Sequence, residues 1–225
     1  MKRLLAVTFL LAAATAQAAN LPIVIRPATH GTSDTVAIML SGDGGWRRID
    51  ILVTNELRKA GIPVVGLLSN SYFVPRRTPE EAAADLERLI VGWSEVWNKP
   101  HVILIGYSRG ADVLPFLVNH LTPQTRAKVV AVALLGLAPT IDFKYHASWI
   151  PFYHSKEPQF PVEPEVKKMQ GLNVLCVYGE KEKDSICPAL PPQIVTKVRM
   201  PGRHHFDGRY PEIAKAILAA AARGR

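Results

Sequence analysis

From about residue 35 onward, short apolar runs alternate with amphipathic stretches. Thr35–Leu40, Pro63–Leu68, His101–Gly106, Val129–Leu135, Leu172–Tyr178 and Ile194–Val198 read as strands, apolar at consecutive positions rather than at every second one. Strands of that kind are buried on both faces, which points to parallel pairing under helices on both sides. The stretches between them fit helices at Ile49–Ala60, ended by Gly61, at Ala111–Leu121 and at about Pro211–Ala222. A further helix opens at Thr78-Pro79-Glu80-Glu81, a capping box with proline in the first turn. It sets Leu86, Leu89, Ile90, Trp93 and Trp97 on one face, a stripe that reads as core. In the last helix Ile213, Ile217 and Leu218 point inward by the same spacing.

Two segments fall outside this alternation. Met1-Lys2-Arg3 is a short basic start, Leu4–Ala14 is apolar, and Ala16-Gln17-Ala18 has the small-x-small form of a cleavage site. Residues 1–18 are therefore expected to be a secretory signal peptide, with residues 19–225 forming one exported domain. No later stretch is long and apolar enough for a membrane helix. The second exception, residues 138–171, is Pro-rich and aromatic, with Phe143, Tyr145, Trp149, Phe152, Tyr153 and Phe160. It follows a strand on the side where parallel sheets bind ligands, so it reads as a reduced, irregular cap.

Charge and cysteines narrow the picture further. The chain carries a formal charge of +8, of which Lys2 and Arg3 supply two. An exported basic protein is drawn to anionic surfaces such as membrane lipids. Nucleic acid is not expected, because aromatic and basic residues are not interleaved as base stacking requires. Cys176 and Cys187 are the only cysteines, and an even count in an oxidising compartment predicts a disulfide. Neither cysteines nor histidines have metal-site spacing, so no metal and no organic cofactor is expected.

The chemistry enters at Gly106-Tyr107-Ser108-Arg109-Gly110, a G-x-S-x-G sequence between a predicted strand and a predicted helix. That context is the nucleophile elbow of the α/β-hydrolase fold, in which Ser108 sits on a strained turn and the glycines let strand and helix cross. A serine nucleophile needs a base and an orienting acid, supplied in the order Ser, acid, His from loops after late strands. Pro201-Gly202-Arg203-His204-His205 is the histidine loop, giving His204 as base with His205 as alternate. The loop after Tyr178 contains both Glu182 and Asp184. Counting forward from Gly179 favours Glu182, and counting back from Pro188 favours Asp184, the residue preferred here as the acid. A Cys176–Cys187 bridge would tie this loop to its strand. The oxyanion hole needs backbone donors from Arg109 and from Ser41-Gly42-Asp43-Gly44-Gly45, with Asp43 expected and Gly44 the alternate. A carboxylate at Asp43 opposes a growing oxyanion unless it faces a cation or caps the next helix.

Taken together, SGDGGW, Tyr72-Phe73 with Arg77-Thr78-Pro79, GYSRGADVLPF, LLGLAP, YGEKEKDSIC and PGRHHFDG resemble the VirJ/AcvB family over nearly the whole chain after residue 18. Arg203 departs from the small residue expected at its place in the histidine loop. The resemblance implies a periplasmic serine hydrolase that releases the amino acid from aminoacyl-phosphatidylglycerol, a membrane phospholipid, with links to type IV secretion proteins. Asp43 or Asp112 is then expected to meet the cationic aminoacyl group, and the cap to cover acyl or glycerol parts. Two other readings stand beside this one. The first is a secretion accessory that uses the fold as a binding scaffold. The second is a general esterase or thioesterase acting on soluble substrates.

Overall fold

The computed structural model describes residues 21–146 and 159–224. The expected signal peptide, and Trp149, Phe152 and Tyr153 of the expected cap, lie outside the described residues. In chain order the strands are β1 (Ile23–Arg26), β2 (Thr35–Leu40), β3 (Val64–Leu67), β4 (His101–Tyr107) and β5 (Val129–Leu135). They continue with β6 (Thr140–Ile141), β7 (Phe160–Pro161), β8 (Val174–Gly179) and β9 (Val195–Met200). Seven form one sheet in the order β1-β3-β2-β4-β5-β8-β9, and β6 pairs with β7 separately. Every neighbour in the large sheet is parallel except β1, which runs antiparallel along β3. This is the helix-covered, mostly parallel sheet the alternation predicts, in the α/β-hydrolase fold expected from the Gly106–Gly110 elbow. The edge strand β1 lies ahead of the alternation seen in the sequence: Ile23–Arg26, flanked by Pro22 and Pro27, covers the β3 edge.

The two faces of the sheet sort their side chains by the two-residue period of a strand. Val36, Ile38 and Leu40 of β2 join Val102 and Leu104 of β4 in the core beneath the helices Pro79–Val96 and Arg109–Asn119. Ala37 and Met39 join Ile103, Ile105 and Tyr107 beneath the helices Arg48–Lys59 and Tyr210–Arg223. The stripe from Leu86 to Trp93 is buried, and Trp97 packs partly buried against it. The capping box also forms: Thr78 Oγ1 accepts from Glu81 N at 3.1 Å, and Thr78 N donates to Glu81 Oε2 at 2.9 Å.

The described part of the cap segment is more regular than its composition suggests. It holds the β6–β7 pair and a short helix, Val162–Lys167. Phe143 and Phe160 meet each other and Phe116 edge-on, with ring centroids 5.4–6.1 Å apart. Phe143 is almost fully buried, so it anchors the segment to the core rather than facing a ligand.

Candidate active site

The strand order places the site. The chain runs from β2 outward to β3, then returns to β4 on the other side of β2. A crevice opens at such a reversal, beyond the carboxyl ends of the strands. The loop after β2 and the turn after β4 meet there.

At that turn Ser108 has φ 54° and ψ −124°, a conformation an L-residue adopts only under constraint. Its neighbours leave no alternative. A Cβ on Gly106 would lie 2.3 Å from the Gly110 carbonyl oxygen, and one on Gly110 would lie 2.2 Å from the Leu40 carbonyl oxygen. Strand, helix and neighbouring strand therefore cross at backbone contact, with the serine at the apex. The helix starts at Arg109, so the Arg109 N–H heads it and has no acceptor within the helix.

The histidine and acid come from the loops after β9 and β8. His204 Nδ1 is hydrogen-bonded to Glu182 Oε1, and Glu182 Oε2 accepts from Gly179 N at 3.0 Å. Glu182 is thus held at both oxygens, with its side chain only 10% exposed. The preferred acid, Asp184, is exposed and lies in the neighbouring cleft without a bond to either histidine. The reason is a turn. Glu182 N donates to Gly179 O at 3.0 Å, so the chain reverses directly after β8 and aims its third residue inward. Counting forward from the strand end gives the residue that meets His204.

His204, rather than His205, is the histidine joined to a carboxylate. His205 Nδ1 pairs with the Tyr107 hydroxyl at 3.0 Å, while the Tyr107 ring lies 5.1 Å from that of His204. Arg203 is exposed, and its carbonyl accepts from Phe206 N at 2.8 Å, so the larger side chain does not disturb the loop. Gly136, at the end of β5, has φ +71°, and a Cβ there would lie 2.7 Å from His204 Cε1 and 3.2 Å from Glu182 Oε1. Only glycine leaves room for the acid–histidine pair. Its sequence signal was a lone glycine closing an apolar strand, easily read as a simple turn.

The loop after β2 makes a tight turn, with Gly45 N donating to Gly42 O at 3.0 Å. A Cβ on Gly42 would lie 3.1 Å from Ser108 Cβ, so this backbone flanks the serine directly. Asp43 faces a cation: its Oδ1 pairs with Arg109 Nε. It does not cap the following helix, because there Asp50 Oδ2 accepts from Arg47 N at 2.8 Å. The buried Arg109 side chain continues to Asp142, donating from Nη1 to the Asp142 carbonyl at 2.9 Å. Asp142 in turn holds His146 Nε2 at 3.0 Å and accepts from Gln159 Nε2 at 3.2 Å. One guanidinium therefore ties the loop beside the serine to both stems of the cap segment. Sequence reading assigned Arg109 only its backbone N–H and missed this role.

Asp112 is buried one turn after Ser108, and its Oδ1 accepts from Ala138 N at 2.7 Å. Burial pushes its carboxyl up to about 7, against the opposing pull of the Ala138 N–H and the Arg109 charge. Ser108 and His204 share a cleft of about 330 Å³ with the Gly42–Gly45 loop. The sulfurs of Cys176 and Cys187 form a disulfide, with Cα atoms 5.6 Å apart, that closes the segment carrying Glu182. Among the described residues no His, Cys, Asp or Glu group is arranged to hold a metal.

Solved structures with this architecture bear out the fold class. Est1E from Butyrivibrio proteoclasticus superposes with a TM-score of 0.64 at 13% identity, over 90% of this chain and 93% of that one. An α/β serine hydrolase homologue from Coxiella burnetii gives 0.62 at 17% identity, over 88% and 89%. An α/β serine hydrolase without a lid, from Xanthomonas campestris, gives 0.58 at 14% identity, over 89% and 88%. At such identities the likeness concerns the fold. Curated protein sequences gave no match. The family is shown by a sequence model: residues 34–224 match that of the bacterial virulence protein VirJ, and the chain belongs to this family.

Proposed function

We propose that the protein is a periplasmic serine hydrolase that cleaves carboxylic esters through Ser108, and that its ester is the aminoacyl ester of an aminoacyl-phosphatidylglycerol. One observation carries the hydrolase reading: a strained Ser108 shares a cleft with a histidine whose Nδ1 is bonded to a doubly held carboxylate. With Nδ1–H held by Glu182, Nε2 is the ring nitrogen left to take a proton from the serine, the tautomer a general base requires. Ser108 Oγ attacks the ester carbonyl and passes its proton to Nε2, while Glu182 orients the ring and steadies the imidazolium. The N–H groups of Arg109 and of Asp43 or Gly44 receive the oxyanion. His204 then protonates the departing alcohol oxygen, and a water deprotonated by the same ring releases the acid from Ser108.

Export is supported by the basic and apolar start of the chain and by the disulfide, a bond that persists in oxidising compartments. The net positive charge favours approach to an anionic leaflet. The lipid substrate rests on family membership and the sequence resemblance. A general esterase is favoured by the Asp43–Arg109 pair, since that carboxylate is already neutralised and need not greet an ammonium group. A scaffold that only binds secretion proteins leaves the Glu182–His204 bond and the strained serine without a use.

The experiment is turnover of purified aminoacyl-phosphatidylglycerol by the wild type and by Ser108→Ala, with lipid profiling of a deletion strain. Release of amino acid by the wild type alone, with accumulation of the aminoacyl lipid in the strain, supports the reading. An unchanged lipid profile together with brisk hydrolysis of simple esters moves it to the general esterase.

A further inference from the structure

A second cleft opens on the Glu182 side of His204 and encloses about 480 Å³, more than the cleft that holds Ser108. The two meet at the His204 ring. Lys181, Lys183 and Arg203 line the second cleft, against a single uncommitted acid, Asp184. All four are exposed, and among the described residues none of the three cations forms an ion pair. Elsewhere on the surface, cations near a carboxylate take it: Lys59 pairs with Glu56, Lys167 with Glu163, Lys168 with Glu165, and Arg209 with Glu212. Lys183 has Asp184 beside it in the chain and leaves it unpaired.

The backbone that carries these cations is braced. Lys181 N donates to Gly202 O at 2.8 Å, joining the acid loop to the histidine loop, and Ile186 N donates to Leu137 O at 3.0 Å. Glu182 points inward to His204, so its neighbours Lys181 and Lys183 are turned toward the opening. A concave site lined mainly by one sign of charge concentrates its potential on whatever enters. Ammonium and guanidinium groups together suit the oxygens of a phosphate.

Acyl transfer through Ser108 adds a geometric demand, and the inference rests on that reading. The departing oxygen must come within reach of His204 to collect its proton, so the rest of the alcohol extends from the histidine away from the serine. We infer that the Lys181–Lys183–Arg203 cleft is an anion subsite for a phosphate-type group carried by the alcohol portion of the ester. The acyl portion stays beside the Gly42–Gly45 loop.

The test compares two soluble esters of one acyl group, the glycerol ester and its glycerol 3-phosphate counterpart, with a phosphodiester lipid of the same acyl group in neutral detergent. For the wild type at low salt, kcat/KM is expected to favour the phosphorylated ester by about tenfold or more, the scale of one or two charge-assisted contacts. Added salt lowers that ratio, and Lys181→Gln/Lys183→Gln/Arg203→Gln brings it close to one. A preference shared by the diester points to a lipid headgroup, and one confined to the monoester points to a soluble phosphate. A wild-type ratio near one, or a ratio that survives the triple substitution, overturns the subsite while leaving ester hydrolysis intact. If no ester is turned over, the hydrolase reading fails. Calorimetry with glycerol 3-phosphate then decides the subsite alone: saturable binding lost in the triple variant supports it, and no binding by the wild type overturns it.

Discussion

The nucleophile elbow and the acid loop serve one proposed reaction but are built by opposite means. The elbow is a backbone device. Gly106 and Gly110 admit carbonyl oxygens where any Cβ would collide, and Ser108 is left with φ 54° as the outcome. The acid loop has no such compulsion at the acid itself. Glu182 is placed by a turn after β8, by an N–H from Gly179, by the space Gly136 leaves and by a disulfide that closes the segment. The elbow therefore tolerates almost no change of residue type at its glycines. The acid loop spreads its geometry over several weaker contacts, and its function should erode by degrees.

The largest effect expected in the acid loop is at the pair itself. His204→Ala and Glu182→Gln should each lower kcat for ester hydrolysis by about 10³-fold or more, as in other triads. Asp184→Asn should change kcat far less. A collapse in Asp184→Asn with near-normal Glu182→Gln would reverse the assignment and show that the loop rearranges on binding substrate. Steady-state kinetics on one soluble ester is sufficient.

On the elbow side, Asp43→Asn removes the charge that pairs with Arg109 and loosens the loop flanking the serine. A loss of about tenfold in kcat is expected, the order of one charge-assisted hydrogen bond, and equally for neutral and aminoacyl esters. A loss confined to aminoacyl esters would return Asp43 to direct contact with the ammonium group.

Reducing Cys176–Cys187 tests how far the acid loop depends on its closure. Stability should fall by about 2–3 kcal/mol in the chain-entropy view of a short loop, read as a lower Tm. The rate should fall severalfold, with Ser108 labelling slowed in proportion but not abolished as damage to the elbow would abolish it. Unchanged kinetics after complete reduction would show that the turn and Gly136 hold Glu182 unaided.

The smallest expected effect concerns Asp112, buried behind the elbow. Its carboxyl is raised from 3.8 to about 7, so between roughly pH 4 and pH 7 the native state keeps a proton that the unfolded chain has released. Stability contributed at this site therefore falls as pH rises through that window, and the deficit is complete above it. Asp112→Asn keeps an acceptor for Ala138 N and removes the deficit, so Tm should rise at pH 8 and hardly move at pH 4. An equal shift at both pH values would remove titration of Asp112 from the explanation.

The same contrast explains what was legible in the sequence. The elbow was, because Gly-x-Ser-x-Gly between an apolar run and a helix encodes a backbone crossing within five residues. β2 and β5 were legible to the residue, since runs buried on both faces carry no ambiguity of side. The acid was not, because Glu182 and Asp184 have the same chemistry and differ only in which one a hydrogen-bonded turn aims inward. β1 was missed because four residues between prolines carry too little pattern to announce an edge strand. The bridge from Asp43 through Arg109 to Asp142 joins residues far apart in the chain and is visible only once the fold brings them together.

The proposed chemistry depends on Ser108 as the nucleophile. Incubation of the purified protein with a fluorophosphonate, followed by intact mass and peptide mapping, measures this directly. One adduct per chain is expected, on the peptide containing Ser108, absent in Ser108→Ala and formed much more slowly in Glu182→Gln. A full-length, folded protein that takes no adduct, or takes one on another residue while Ser108→Ala labels like the wild type, would contradict it.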